Sequence, residues 1–342
     1  MKGHINDGMP FILVRLVVMK KIIEPVSKEL LKSQLTRDRF LRTTNHGGNE
    51  IYVVDNANAP DVVREIGRLR EECFRAGGGG TGREIDLDKF DTDAAYGYKQ
   101  LVLWDPEAER IIGGYRYVLC DDIVYDKYGQ PILTSSHMFR FSKKFIKNYL
   151  EHTIELGRSF VTLDYQSSKG GAKSIFALDN LFDGLGALVV MYKGRMKYFF
   201  GKMTIYPQYP TPAREMIQVF LNKWFGVIHL RLVKLDKPVK VKKPLKYVKQ
   251  LKGVTFKEDY RHLKAFVSGY GVSIPPLVNT YMNMSEHMMY FGTGLNDEFG
   301  DIYDSGILIP FKDMAEDKVN RHVKTVNTKI LYRLRNLLHR KK

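Results

Sequence analysis

Apolar residues recur at helical spacing in DVVREIGRLREECFR (residues 61–75). Val62, Val63, Ile66, Leu69 and Cys73 fall on one stripe behind Pro60. The glycines of RAGGGGTG (75–82) end that helix. YKQLVLW (98–104), a DPEAE turn and RIIGGYRYVLC (110–120) read as a β-hairpin. FSKKFIKNYL (141–150) is expected as a short helix and TIELGRSFVTL (153–163) as a strand. A loop, QSSKGG (166–171), leads into the apolar helix AKSIFALDNLFDGLGALVVMYK. MKYFFGKMTIYP (196–207) is a further strand, and Pro212 opens a helix that runs to about Phe225.

The pattern changes after that helix. VKLDKPVKVKKPLKYVKQLK (233–252) is dense in lysine, has one acid and two prolines, and reads as an exposed linker or extended basic segment. GVSIPPLVNTYMNMSEHMMYFG (271–292) is apolar and methionine-rich, and IYDSGILIPF (302–311) reads as a strand. The stretch from Val319 to Lys342 sets Val323, Ile330, Leu331, Leu334, Leu337 and Leu338 among Arg and Lys residues. Strands and helices mixed in this order, without a repeat, predict an α+β fold on a mixed α/β sheet.

Composition narrows the partners. The 342 residues are 44% hydrophobic and 27% charged, as in ordinary globular proteins. Lys plus Arg number 54 against 38 Asp plus Glu, a net charge of +16 that suits a nucleic acid, an anionic bilayer or an acidic carrier protein. Two cysteines, Cys73 and Cys120, leave no disulfide framework and suggest a reducing compartment. MPFILVRLVVM (9–19) is too short for a membrane helix, is interrupted by Arg15 and lacks a signal-peptidase site. It reads as the start of a strand or helix, or as sequence ahead of initiation at Met9 or Met19. A cytoplasmic protein with possible peripheral contact at a membrane is expected.

Several chemistries can be set aside. Gly77, Gly79 and Gly82 spell G-x-G-x-x-G, the letters of a dinucleotide loop. That loop needs a strand before it and a helix after it. Here a helix precedes, and Glu84, Asp86, Asp88 and Asp91 follow, where they would repel a pyrophosphate. The run reads instead as a mobile hinge carrying Asp88 and Asp91 toward Arg116 or Arg158. No Lys-Ser or Lys-Thr completes a P-loop, the histidines form no zinc motif, and no G-x-S-x-G elbow occurs.

ELGR, Glu155 to Arg158, lies inside an apolar strand. Alternation puts Glu155 and Arg158 on opposite faces, unless a bulge at Gly157 brings them to one side. A surface salt bridge on a regular strand fits the letters equally well. Ahead of this pair come Arg70 and Phe74 at a helix end, Asp88 and Asp91, and Arg116 in GGYRYVL. The ordered series R-x-x-x-F, D-x-x-D, G-x-x-R, E-x-x-R resembles the acyl-homoserine-lactone synthases and their relatives in the GNAT superfamily. LFDGLGALVVMYKGRMKYFFGKMTIYPQYP, and SIPPL with the aromatic-methionine segment and NDEFGD behind it, look like the bacterial amino-acid N-acyltransferases that make ornithine and glycine lipids. The resemblance spans roughly residues 35–312.

That resemblance implies a GNAT-like catalytic core at 41–225, an N-terminal segment at 1–40, an extension at 226–318 that completes the acyl and substrate site, and a basic tail at 319–342. It implies transfer of a fatty acyl group, often 3-hydroxylated, to the α-amine of glycine or ornithine. The co-substrate is acyl carrier protein with its phosphopantetheine thioester, or acyl-CoA, with no tightly bound cofactor or metal. Glu155 is the implied general base, and a backbone N–H between Ser159 and Val161 the oxyanion donor. Arg116 and Arg158 are the implied clamps for the amino-acid carboxylate. Asp88 and Asp91 would orient the amine or pair with Arg70, and an ion-pair network bracing the cleft fits these residues as well. Gln166, Gly170, Gly171 and Lys173 stand where relatives bind pantetheine phosphates, one residue off the usual spacing. Lysines at 233–252 would steer the acidic carrier or an anionic membrane, the tail would lie on an inner leaflet, and Met282, Met284, Met288 and Met289 would line the acyl tunnel. Nucleic acid is not expected as a partner. Two alternatives remain open: an acyl-homoserine-lactone type of signal synthase, and a basic membrane- or nucleic-acid-binding protein without catalysis.

Overall fold

The structure, a computed structural model, describes residues 19–166 and 172–326, with the backbone alone for 172–175. In chain order its elements begin with α1 (Lys28–Gln34), β1 (Phe40–Thr43), β2 (Glu50–Val54), α2 (Pro60–Ala76), α3 (Lys89–Thr92), β3 (Lys99–Asp105) and β4 (Arg110–Leu119). Then come β5 (Phe139–Phe141), α4 (Lys143–Asn148), β6 (Thr153–Val161), α5 (Ala172–Met191), β7 (Tyr198–Ile205) and α6 (Thr211–Phe225). The remainder holds β8 (Val233–Leu235), α7 (Pro244–Val248), α8 (Phe256–Ser268), α9 (Pro276–Met282), β9 (Met289–Asn296) and β10 (Ile302–Pro310).

Eight strands form one sheet in the order β1-β2-β3-β4-β6-β7-β10-β9. Neighbours are antiparallel except β6 and β7, which run parallel. Both faces are covered, so β3 is apolar at successive positions. Leu101 and Leu103 pack into the core with Leu181 and Leu185 of α5, while Val102 and Trp104 pack with Val62 and Ile66 of α2. The hairpin of β3 and β4, the strand at 153–161 and the helices at 60–76 and 211–225 all form where the pattern puts them.

The parallel pair is brief. Thr153, Ile154 and Glu155 pair with Tyr198, Phe199 and Phe200, and there the register ends. Both strands run on, β6 to Val161 held by β4 and β7 to Ile205 held by β10. Beyond Glu155 the two strands part, and the sheet opens into a wedge.

The basic segment is more ordered than its lysines suggest. Val233–Leu235 pairs with β5, Pro244–Val248 is helical, and Val233, Tyr247 and Leu251 are buried while the lysines face out. Tyr247 donates to Glu215 of α6 at 2.8 Å. Met282, Met284 and Met288 belong to the main core, and none of the four methionines lines the cavities described below. An unbranched thioether fills irregular core gaps as readily as it lines a tunnel.

The glycine run is pinned, which corrects the hinge reading. Glu71 of α2 is fully buried and accepts from Thr81 N (3.0 Å), Thr81 Oγ1 (2.7 Å) and Gly82 N (2.7 Å). Gly78, Gly80 and Gly82 take positive φ of 89°, 95° and 73°, which only glycine adopts without strain. The acidic segment then lies along α2 at Gly67, where a Cβ would stand 2.6 Å from Leu87 Cγ. Asp91 fastens its far end: Arg70 Nη1 donates to Oδ1 at 2.9 Å and Arg116 Nη1 to Oδ2 at 2.7 Å. Burial opposes the charge on Asp91, but Arg70 and Arg116 outweigh it and hold the carboxyl well below the usual carboxylate range.

Asp91→Asn leaves the buried Arg70 without a carboxylate partner and Arg116 with Asp88 alone. Urea denaturation at neutral pH is expected to show a loss of about 3–5 kcal/mol. Because the folded pKa is depressed, the contribution is complete above the unfolded value of about 3.9 and declines as pH falls from there toward the folded one. The gap between wild type and variant therefore narrows in acid.

Candidate active site

Two cavities meet in the wedge. The polar one, about 600 Å³, is lined by Asp88, Arg116, Thr134, Ser135, His137 and Glu155 among others. The second, about 580 Å³, follows β6 through Ser159, Phe160 and Val161 to Gln166, and is closed by Pro275, Leu277 and Tyr281. Leu156, Gly157, Arg158, Gly201, Lys202, Asn296 and Phe299 line both. A ligand in one can thus meet a ligand in the other at the parting of β6 and β7.

The bulge foreseen in ELGR exists, one residue further on. Gly157 pairs with Arg116 and Phe160 with Gly114, so Arg158 and Ser159 together oppose Tyr115. Arg158 takes a left-handed φ of 50°, a costly conformation for a long side chain and one that recurs at functional sites. It turns Arg158 to the junction of the cavities, where the guanidinium lies 4.2 Å over the Phe299 ring and Nε sits 2.9 Å from Asp86 Oδ2. Both Glu155 and Arg158 therefore face the wedge.

Glu155 is buried and organises the wall beside it. Oε1 accepts Ser135 N at 3.0 Å, and Oε2 accepts Thr134 Oγ1 at 3.0 Å and the Tyr98 hydroxyl. A carboxylate offers about four acceptor positions, so Oε1 keeps one for a water or substrate proton. Burial, and then Glu155, push the Tyr98 hydroxyl well up, so that it remains a donor. Thr134 in turn orients His137, whose Nδ1 lies 2.8 Å from the Thr134 carbonyl. Partial desolvation of the ring, and then Lys202, hold His137 below its usual range, which favours the neutral imidazole at the cavity.

The arginine and aspartate residues divide by position. Arg70 and Asp91 are buried and line neither cavity; they brace α2 against β4, with Gln100 bonded to both. Arg116 and Asp88 do line the polar cavity, but Arg116 Nη1 is already committed to Asp88 at 2.8 Å and to Asp91. Asp88 also caps α3. Only Arg158 stands at the junction with its Nη groups bonded to no described residue. Of the residues expected at the pantetheine phosphates, Gln166 lines the second cavity and donates to the Val161 carbonyl at 2.5 Å. Gly170 and Gly171 lie outside the described residues, and Lys173 is described only as backbone at the start of α5.

Residues from the second half of the chain supply what the motif series omits. Asp304 of β10 accepts from Lys202, Thr204 and Asn296 at 2.9, 2.6 and 2.9 Å. Asn296 lines the wedge beside His137, and its Oδ1 is buried. Tyr281 of α9 meets Tyr115 hydroxyl to hydroxyl at 3.2 Å, and burial raises both above the ordinary phenol value. Tyr98, Thr134, His137 and Asp86 were also missed. The segments that hold this group, MKYFFGKMTIYP, SIPPL with the stretch behind it, NDEFGD and IYDSGILIPF, stand out in the sequence, but nothing there assigns roles to Lys202, Tyr281, Asn296 or Asp304.

Residues 69–173 match the Acetyltransferase (GNAT) domain. The chain is 54% identical over 307 residues to the glycine N(alpha)-acyltransferase of Bacteroides thetaiotaomicron, covering 90% of each chain. It is 52% identical over 308 residues to the protein of that name from Phocaeicola vulgatus, covering 90% of this chain and 94% of that one. No helix among the described residues is long and apolar enough to cross a membrane. The splayed strands, the bulged β6 and these relatives lead to one conclusion: the chain is an acyltransferase and belongs to the bacterial amino-acid N-acyltransferases of the GNAT superfamily.

Proposed function

We propose that the protein transfers a long-chain, 3-hydroxylated or plain, fatty acyl group from acyl carrier protein to the α-amine of glycine, the committing step toward an aminolipid. The observation that carries this reading is the pair of cavities meeting at the Arg158 bulge, one polar and one largely apolar. The acyl-pantetheine thioester lies along Ser159–Val161, and the amino acid occupies the polar side. Acyl-CoA would fill the same channel, but the basic surface of a +16 chain favours an acidic carrier.

The amine nitrogen attacks the thioester carbon directly, the C–S bond breaks, and the pantetheine sulfur leaves as the thiol. Glu155 takes the amine proton at Oε1, through a water where the amine stands back from it. The N–H groups of Arg158 and Ser159, outside the registered pairs of β6, stabilise the developing oxyanion. Arg158 binds the carboxylate, while Arg116, Asp88, Asp91 and Arg70 hold the wall.

Glycine is favoured over ornithine by charge. A δ-ammonium needs an acidic partner, yet of the three acids that line this cavity Asp88 is held by Arg116, Glu155 by three donors, and the exposed Glu298 faces Lys89, Arg83 and Lys202 along the same lining. Incubation with 3-hydroxyacyl carrier protein and each amino acid, read by mass spectrometry, tests this. The kcat/KM for glycine is expected to exceed that for ornithine by at least about tenfold, equivalent to about 1.4 kcal/mol. Equal rates would overturn the assignment, and no N-acyl product from any common amino acid would overturn the reaction.

Glu155→Gln keeps the size of the side chain and removes the base. Its kcat is expected to fall by about 10²–10⁴-fold with little change in KM for the acyl donor. A variant that retains wild-type kcat would exclude Glu155 as the base.

A further inference from the structure

A third cavity, of about 820 Å³, shares no lining residue with either active-site cavity. Its walls are aliphatic and aromatic: Val219, Val233, Leu235, Val241, Leu251 and Phe291. Its mouth carries Arg231, Lys234 and Lys240, all exposed and without an acidic partner among the described residues. Lys242, Lys243, Lys246, Lys249 and Lys252 continue the basic surface along the same segment. Between these cations the segment exposes large apolar side chains: Leu245 at 71%, Val248 at 49%, Ile228 at 53% and Val254 at 87%.

A charged rim alone would suit any polyanion. The exposed aliphatic side chains and the apolar cavity behind them add a requirement for hydrocarbon, which nucleic acid does not meet. An acidic carrier protein fits less well for a positional reason. Its pantetheine arm must enter the wedge, and the cavity on this surface shares no lining residue with either cavity there. Cations at headgroup depth with aliphatic side chains reaching below them is the arrangement that holds a protein at an anionic bilayer.

We propose that residues 228–254 dock on a membrane of anionic phospholipid, with Arg231, Lys234 and Lys240 at the phosphates, Leu245 and Val248 inserted beneath them, and a lipid acyl chain in the cavity. The site is independent of the amino acid acylated and of the donor.

Co-sedimentation of the full chain with phosphatidylcholine vesicles, with and without phosphatidylglycerol, tests the proposal. Binding is expected to require phosphatidylglycerol and to weaken as salt rises. Lys234→Glu with Lys240→Glu is expected to lower the affinity by about tenfold or more, and Leu245→Asp with Val248→Asp to lower it at every salt concentration. All four positions are exposed and outside the catalytic wedge, so acyl transfer between soluble substrates stays at the wild-type rate and reports that the variants are folded. Absence of vesicle binding by the wild type would overturn the proposal. So would undiminished binding by both variants, which would move the contact to another surface. Loss of binding to immobilised acyl carrier protein with vesicle binding retained would make the patch a protein-docking surface and overturn it too.

Discussion

Two parallel strands stop pairing after Glu155 and Phe200, and the catalytic arrangement follows from that interruption. Backbone N–H and C=O groups inside a sheet are normally consumed by the ladder. Where β6 and β7 diverge, each keeps its outer neighbour and loses its inner one, so the inner edges face a cavity. A bulge at the same point rotates Arg158 into the opening and takes Arg158 and Ser159 out of register with β4. The sheet thus provides a channel, a place where two substrates meet, and polar backbone at the meeting point.

An open wedge in a sheet needs bracing, and buried charge supplies it. On one side Asp91 ties Arg70 of α2 to Arg116 of β4; on the other Asp304 ties Lys202 to Asn296 and Thr204. Such groups add little net stability over apolar residues, but removing one partner is costly, so they fix geometry. Glu155 acts similarly at close range. Its three donors hold the loop that carries His137 while one acceptor position stays open to the cavity.

Much of this was legible in the chain, for local reasons. The stripe Val62, Val63, Ile66, Leu69 and Cys73 specifies a one-sided helix, and Glu-Leu-Gly-Arg inside an apolar strand was enough to suspect a bulge. The failures share a cause: they depend on partners distant in sequence. The glycine run reads as loose until Glu71 is seen to bind it. Asp86 looks like surface acid until the fold brings Arg158 to it. Lysine density hid the apolar residues Val233, Tyr247 and Leu251 that order the basic segment. Arg70 and Arg116 are equivalent as letters and both are buried; only their places in the fold make one a brace and the other part of the cavity wall.

The central claim is that the acyl donor lies between β6 and β7 with its thioester carbonyl at the bulge. A crystal structure with a non-hydrolysable acyl-pantetheine amide tests it most directly. The account predicts the pantetheine arm along Ser159–Val161, with the carbonyl oxygen within hydrogen-bonding distance of the Arg158 or Ser159 N–H and the acyl chain running toward Leu277 and Tyr281. An arm bound elsewhere, with β6 and β7 closed upon each other, would contradict it.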